Sequence, residues 1–137
     1  MGCDIHAHFE IKVDEEWLHF SQPRMQRNYS LFARIANVRN DYENAIEPIS
    51  KPKGLPEDVS KTTRLCFDYW EDDAHDTTWL NADEIEQMCK FAEAKDELFE
   101  HKQLGYLFEN GWGGWKDYPK SYPSFIQDIR FICWFDN

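Results

Sequence analysis

The chain is 137 residues long, 42% hydrophobic and 16% aromatic, with a formal charge of −11. That length predicts one domain over 1–137, and the apolar content suffices for a core and excludes wholesale disorder. The acidic balance argues against direct nucleic-acid binding, which needs Lys and Arg clustered on phosphates.

Acids and bases are interleaved rather than laid out as a rail, so the charge reads as solubility before it reads as imitation of a nucleic acid. No apolar run approaches the roughly 18 residues that span a bilayer. No charged-then-apolar secretion signal opens the chain, so no membrane partner is expected. Met1-Gly2-Cys3 begins like a myristoylation motif, but position 6 is His6 rather than Ser or Thr. Cys3, Cys66, Cys89 and Cys133 lack metal-finger spacing and sit in apolar periodic segments. They are expected to be reduced, buried thiols of a cytoplasmic protein.

The first element is a strand with strict alternation. Cys3, Ile5, Ala7, Phe9, Ile11 and Val13 share one face, and Asp4, His6, His8, Glu10 and Lys12 the other. Neighbours on one face lie about 6.5 Å apart, from a rise of about 3.3 Å per residue. Imidazole and carboxylate groups at that spacing can converge on one metal ion or anion. The ordinary alternative is the solvated polar face of an edge strand. Asp-x-His-x-His also opens the first strand of metal-dependent (β/α)-barrel hydrolases, a fold that needs about 250 residues and does not fit here.

A turn at Asp14-Glu15 leads to a second strand, Glu16 to Phe20, with Trp17 and His19 opposite in face to Leu18 and Phe20. Pro23 ends the hairpin. Asn28 is placed to cap a helix from Tyr29 to about Val38, with Leu31, Phe32, Ile35 and Val38 as its apolar stripe. The stretch 40–60, broken by Pro48, Pro52, Gly54 and Pro56, reads as a long loop. Thr62 to Tyr69 reads as a third strand, and 71–76 as an acidic turn holding His75.

Asn81 and Glu84 fit a capping box for a helix from Ala82 to about Gln103, with Ile85, Met88, Cys89, Ala92 and Phe99 facing the core. Gly105 would end it. A glycine-and-tryptophan loop follows at 110–115, then Tyr118, Tyr122 and Phe125. The last strand, Ile129 to Phe135, is apolar on both faces except at Arg130 and is expected to be central. Beside the first strand, it would bring Trp134 or Asp136 to the border of the His6–His8 face. The fold expected is α+β, a small antiparallel or mixed sheet of the N-terminal hairpin and C-terminal strand, with helices on its apolar face.

Several segments together resemble a family of small proteins from phages and bacterial genomes. They are Met-Gly-Cys-Asp-Ile-His at 1–6, Arg27-Asn28-Tyr29 with Leu31-Phe32, Ala36 to Arg39, and Gly54-Leu55-Pro56 with Asp58. His75 with Trp79-Leu80, and Arg130 through Trp134-Phe135-Asp136-Asn137, complete the set. The likeness runs over essentially the whole chain. The family carries no assigned activity, so the resemblance implies a phage or prophage accessory role inside the bacterial host cell rather than a mechanism. One departure is Asp76, where the family pattern has a hydroxyl residue after the histidine.

Asp4, His6 and His8 are the candidate ligands of a divalent transition metal, zinc or manganese. His75 and Asp76 are the candidate catalytic pair beside it, and Asp72 is a further possible ligand. A metal so held would activate water against a phosphoryl or acyl group. Arg27 and Arg39 are candidate clamps for an anionic, nucleotide-like ligand, with helix-surface charge as the plain alternative. Trp112 and Trp115 are candidate stacking residues for a base or a partner surface, or else a cover on the core. Glu10 reads as a solvated strand residue. Two functions follow: a metal-dependent hydrolase of a phosphate ester or nucleotide-like compound, or a non-catalytic protein that sequesters such an anion or binds a host defence protein.

Overall fold

The computed structural model describes residues 2–25, 27–41, 43–94 and 124–137. Four strands, β1 (Asp4–Val13), β2 (Glu16–Ser21), β3 (His75–Leu80) and β4 (Asp128–Asp136), form one antiparallel sheet in the order β2-β1-β4-β3. Three helices, α1 (Tyr29–Ala36), α2 (Lys61–Trp70) and α3 (Ala82–Ala94), complete an α+β fold. Among the described residues no helix is long and apolar enough to cross a membrane.

The two long strands form the axis. β1 and β4 pair without a break from Asp4↔Asp136 to Lys12↔Asp128, so the terminal strand is central, as its two apolar faces predict. The β1–β2 hairpin turns at Asp14 (φ 49°) and Glu15 (φ 64°), the left-handed pair that a two-residue turn requires. Neither is glycine, and the Gln127 side chain supports the turn by accepting the Glu15 N–H at 2.7 Å.

The alternation of β1 sorts as expected. Cys3, Ile5, Ala7, Phe9 and Ile11 enter a core with Leu31, Phe32 and Ile35 of α1, Ile85, Met88 and Cys89 of α3, and Phe131, Cys133 and Phe135 of β4. The caps follow the sequence signals. Asn28 accepts the Leu31 N–H, and Asn37, at φ 61°, ends α1 in the left-handed region. Asn81 and Glu84 exchange the two bonds of a capping box, at 2.9 and 3.0 Å.

Two elements differ from expectation. The stretch read as a strand over 62–69 is helix α2. Ser60 caps it by accepting the Thr63 N–H, and its inward residues, Thr63, Phe67 and Trp70, recur at helical spacing. Thr62, Thr63, Phe67 and Tyr69 have strand propensity, but the cap and the packing stripe override it. The stretch read as an acidic turn is a 3₁₀ turn, Glu71–Asp73, followed by edge strand β3, which begins at His75 itself. The long helix is described to Ala94. Its expected continuation to Gln103 with Phe99, the stop at Gly105 and the 110–115 loop with Trp112 and Trp115 lie outside the described residues, as do Tyr118 and Tyr122.

Helix α2 changes the meaning of the polar face of β1. It lies over that face, so His8, Glu10, Arg130, Ile132 and Trp134 are buried beneath it. Glu10, expected to be solvated, is fully buried. Its Oε1 accepts from Arg130 Nε and Nη2 at 2.9 and 2.7 Å, and its Oε2 accepts from the Ser60 N–H and the Thr63 hydroxyl at 3.0 and 2.7 Å. Burial alone would raise the Glu10 carboxyl, but these hydrogen bonds outweigh it and hold the group below its usual range. Arg130 also donates to Asp58 at 2.7 Å and stacks 4.0 Å above the Trp17 ring.

Removing one partner of a buried pair strands the other charge, at a cost of about 3–5 kcal/mol. Arg130→Met is therefore expected to lower stability by that amount in urea denaturation. Adding Glu10→Gln, which removes the stranded charge but keeps acceptors for Ser60 and Thr63, should recover a large part of it. A single Arg130→Met variant as stable as wild type would contradict this account of the layer.

Candidate functional site

The start of β1, the end of β4 and the start of β3 meet at one end of the sheet, because Asp4 pairs with Asp136 and His75 with Phe135. Most of the sequence-predicted residues gather there, on two sides. Asp4, His6 and Arg27 lie on the α2 side, with Asp136. His75, Asp76 and Arg39 lie on the α1 side, around Phe135 and Tyr29. Cys3 sits between them. Burial raises its thiol, and the charges of Arg39, Asp136, Asp4 and Asp76 all reach it.

On the α2 side, His6 Nε2 hydrogen-bonds to Asp136 Oδ2. The imidazole is packed by Trp70, with ring centroids 4.1 Å apart, and more distantly by Trp134 at 6.2 Å. One fifth of the His6 side chain remains exposed. Its other nitrogen, Nδ1, has no hydrogen-bond partner among the described residues, and the ring borders a groove of about 460 Å³. Ile5, Ala7, Gln22, Pro23, Arg24 and Met25 complete that groove. Arg24 is exposed and makes no ion pair among the described residues.

Asp4 is held by Arg27 in a two-point fork, Nε to Oδ1 at 2.6 Å and Nη2 to Oδ2 at 3.3 Å. That hydrogen bonding keeps its carboxyl below the usual range. The guanidinium passes so close to Gly2 that a Cβ there would fall 2.1 Å from Nη1, so the position admits only glycine without a shift of Arg27. On the α1 side, His75 Nδ1 lies 2.7 Å from Asp76 Oδ2 and its Nε2 3.1 Å from Asn137 Oδ1. Arg39 lies over the Tyr29 ring at 5.3 Å, and the Tyr29 hydroxyl accepts the Cys3 N–H.

His8 lies one step further in, apart from the rest. It stacks on Trp134, at 5.1 Å and 19°, and its Nδ1 lies 3.0 Å from His19 Nε2. Its Nε2 is buried without a partner among the described residues, as is Trp134 Nε1. Burial, with the His19 charge adding to it, pushes the His8 pKa down to about 4, so the ring is neutral at pH 7.

Asp4, His6 and His8 therefore share a strand face as predicted, but each is turned to a different partner: Arg27, Asp136 and His19. Their donor atoms as placed do not fit a zinc or manganese site, and among the described residues no group of three or more His, Cys, Asp or Glu side chains is arranged to hold a metal. The His75–Asp76 pair is real, but it stands across the sheet from His6. Trp112 and Trp115 lie outside the described residues.

Sequence reasoning missed Arg24, Gln22 and Trp70. Arg24 carries no signal beyond its charge, and Trp70 was hidden by the strand reading of its helix. Asp136 as the partner of His6 was within reach of the strand-pairing argument.

The His8 environment fixes a pH dependence. Its folded pKa lies below the unfolded value of about 6.5. As pH falls from 6.5 toward 4, the unfolded chain takes up a proton that the folded chain refuses, so stability is full above that window and falls within it. The loss is roughly 3 kcal/mol by pH 4. Asp4, Glu10 and Asp58, whose folded values are depressed, add their losses as pH falls further. Urea denaturation at pH 7.5 and pH 5 is expected to show the decline, and His8→Phe to flatten it. Equal stability of the wild type at both pH values would contradict it.

No protein-family model, curated protein or solved structure matches the chain.

Proposed function

We propose that the His6 end of the sheet binds a small anionic, nucleotide-like compound and hydrolyses its phosphate ester, with the His6–Asp136 pair moving the proton. The observation that carries this reading is the state of the imidazole. Asp136 holds Nε2 and Trp70 packs the ring, while Nδ1 is left unbonded beside a groove whose rim has an exposed arginine. An imidazole oriented by a carboxylate, with its second nitrogen open to a cleft, is the common arrangement of a general base.

In this reading Arg24 takes the phosphate charge through a two-point contact. His6 Nδ1 accepts a proton from water as the water oxygen bonds to phosphorus. The ester P–O bond breaks, and the same proton passes to the leaving oxygen. Zinc or manganese has no step here, because Asp4, His6 and His8 each face a different partner. Arg27 holds Asp4 and the chain start in place rather than touching the anion.

The second reading, capture without turnover, draws on one observation. Asp136 is taken up by His6 itself, and Asp4, the next carboxylate along that strand face, is locked in the Arg27 fork. In that case the same groove serves a protein that sequesters a nucleotide-like signal in the host cell, or one that meets a host defence protein there.

Turnover separates the two. Phosphate release from a panel of nucleoside monophosphates, with and without added zinc or manganese, should fall about 10²–10⁴-fold in His6→Ala. Arg24→Ala is expected to raise KM about tenfold, with a smaller effect on kcat, the loss of one charge-assisted contact. Stoichiometric binding with intact ligand recovered on denaturation would replace hydrolysis by capture. Activity unchanged in His6→Ala would remove the site from the function altogether.

A further inference from the structure

Strand register brings side chains from three strands to the face of the sheet that carries Glu10. Trp17 of β2 pairs with Lys12, Lys12 with Asp128, Glu10 with Arg130, and Ile132 with Trp79 of β3. Directly paired residues share a face, so Trp17, Asp128, Arg130 and Trp79 all project on the Glu10 side. α2 starts beside Glu10 and runs toward His6. Beyond its start the 53–58 loop walls the face instead, and a groove of about 610 Å³ lined by Trp17 and Trp79 lies there. That volume is in the usual range of small-ligand sites. The Cα atoms of the two tryptophans stand about 14 Å apart across the sheet and about 13 Å along it, from a strand spacing of about 4.8 Å and a rise of about 3.3 Å per residue. Such a groove is long enough for more than one ring of a ligand.

Its lining is held in place by the fold. The loop wall is tied to β3 by the Lys53 N–H on Thr78 Oγ1 at 3.1 Å and the Gly54 N–H on the Thr77 carbonyl at 2.8 Å. Arg130 ties it to β4 by donating to Asp58 at 2.7 Å. Both indoles are fixed by cations, Arg130 at 4.0 Å over Trp17 and Lys53 at 3.9 Å over Trp79. Lys53 is fixed in turn by Glu84 at 2.6 Å. The Asp58 side chain, anchored through Oδ1, is still 68% exposed. Two aromatic platforms, an ammonium donor and a carboxylate acceptor thus stand ready, which lowers the ordering cost of binding.

The charges along the groove are mixed in sign. Lys53 and Arg130 are matched by Glu84, Glu10 and Asp58, and Glu57 and Asp128 add carboxylates. An entering anion would meet Glu57, Asp58 and Asp128, and an entering cation would meet Lys53 and Arg130, so neither gains throughout. A neutral polyol gains from both signs, because each hydroxyl donates one hydrogen bond and accepts others. The C–H face of a sugar ring also packs on the electron-rich face of an indole.

We propose that the Trp17–Trp79 groove is a second binding site, for a neutral saccharide. The indoles take the C–H faces of pyranose rings, Lys53 donates to their hydroxyls and Asp58 accepts from them. The two grooves share no lining residue, so this site is independent of the reading at His6. A free oligosaccharide and a longer polysaccharide chain offer the same chemistry.

The test titrates the full chain with maltose, cellobiose and chitobiose, and with the hexasaccharide of each, up to about 10 mM by saturation-transfer NMR. At least one is expected to bind, with the strongest transfer at its ring C–H protons. Trp79→Ala is expected to weaken that binding about tenfold. Lys53→Met, a change on an exposed loop, is expected to weaken it by a similar factor, about tenfold. Urea midpoints establish that each variant is folded, and Lys53→Met alone decides the matter if Trp79→Ala is not. A hexasaccharide bound about tenfold more tightly than its disaccharide identifies a polysaccharide chain as the ligand, and equal affinities a free oligosaccharide. No binding by any of the six overturns the proposal, as does binding left unchanged in either folded variant. Spermidine bound more tightly than every saccharide would make the groove a cation site and overturn it as well.

Discussion

Glu10 projects from the middle of β1 into a layer closed to water, and Arg130 projects from the paired position of β4 to meet it. An ionised carboxylate in such a layer is tolerated only when its lone pairs are filled. Arg130 fills one oxygen, and Ser60 and Thr63 fill the other. Ser60 and Thr63 are the cap and first turn of α2, so satisfying Glu10 also sets where that helix begins. Asp58 and Trp17 complete the shell around Arg130, which draws the 53–58 loop and β2 into the same arrangement.

Once its N-terminus is fixed on Glu10, the direction of α2 carries Phe67 onto Trp134 and Trp70 onto His6. The polar face of β1 is thereby graded by depth. Lys12 and Asp4, at the ends, keep contact with water. Glu10 and His8, in the middle, lose it, one as a satisfied ion and the other as a neutral ring. His6 stands at the boundary. Asp136 and an aromatic wall fix its geometry, and one nitrogen remains accessible. Five alternating polar residues thus acquire different chemistry from their depth and from the partners they meet there.

The parts of this arrangement that were legible in the sequence are those set by local pattern. The period-two alternation of β1, the Asp14-Glu15 turn, the Asn28 cap and the Asn81–Glu84 box act within a few residues of one another, and all are present. The central place of β4 was legible because both of its faces are apolar. Thr62 to Tyr69 misled because β-branched and aromatic residues suit a strand equally well. What makes it a helix is the stripe of Thr63, Phe67 and Trp70 packed on a sheet face whose burial was not visible locally. Glu10 was misread for the same reason, since its partner lies 120 positions away. At this end of the sheet, Asp4, His6, Arg27 and His75 were singled out by residue type, and the structure puts His75 on the opposite side from the other three. Which histidine meets which carboxylate depended on strand register.

The two ends of the sheet also differ in how completely their polar groups are satisfied. At the Arg130 end, the guanidinium pairs with Glu10 and Asp58, the Glu10 carboxylate is filled by Arg130, Ser60 and Thr63, and a groove of about 610 Å³ lined by Trp17, Pro56 and Asp58 lies beside Arg130. At the His6 end, the exposed Arg24 and the partly exposed His6 ring border a groove of about 460 Å³. The fold could have closed this end as well by extending β2 four residues further along β1, as far as Ile5. Instead Pro23 follows soon after Ser21, ends the pairing and opens the groove beside the His6–Asp136 pair. The His6 imidazole is held there by Asp136 and Trp70 while one fifth of its side chain meets solvent, a placement that differs from the fully enclosed Glu10–Arg130 pair.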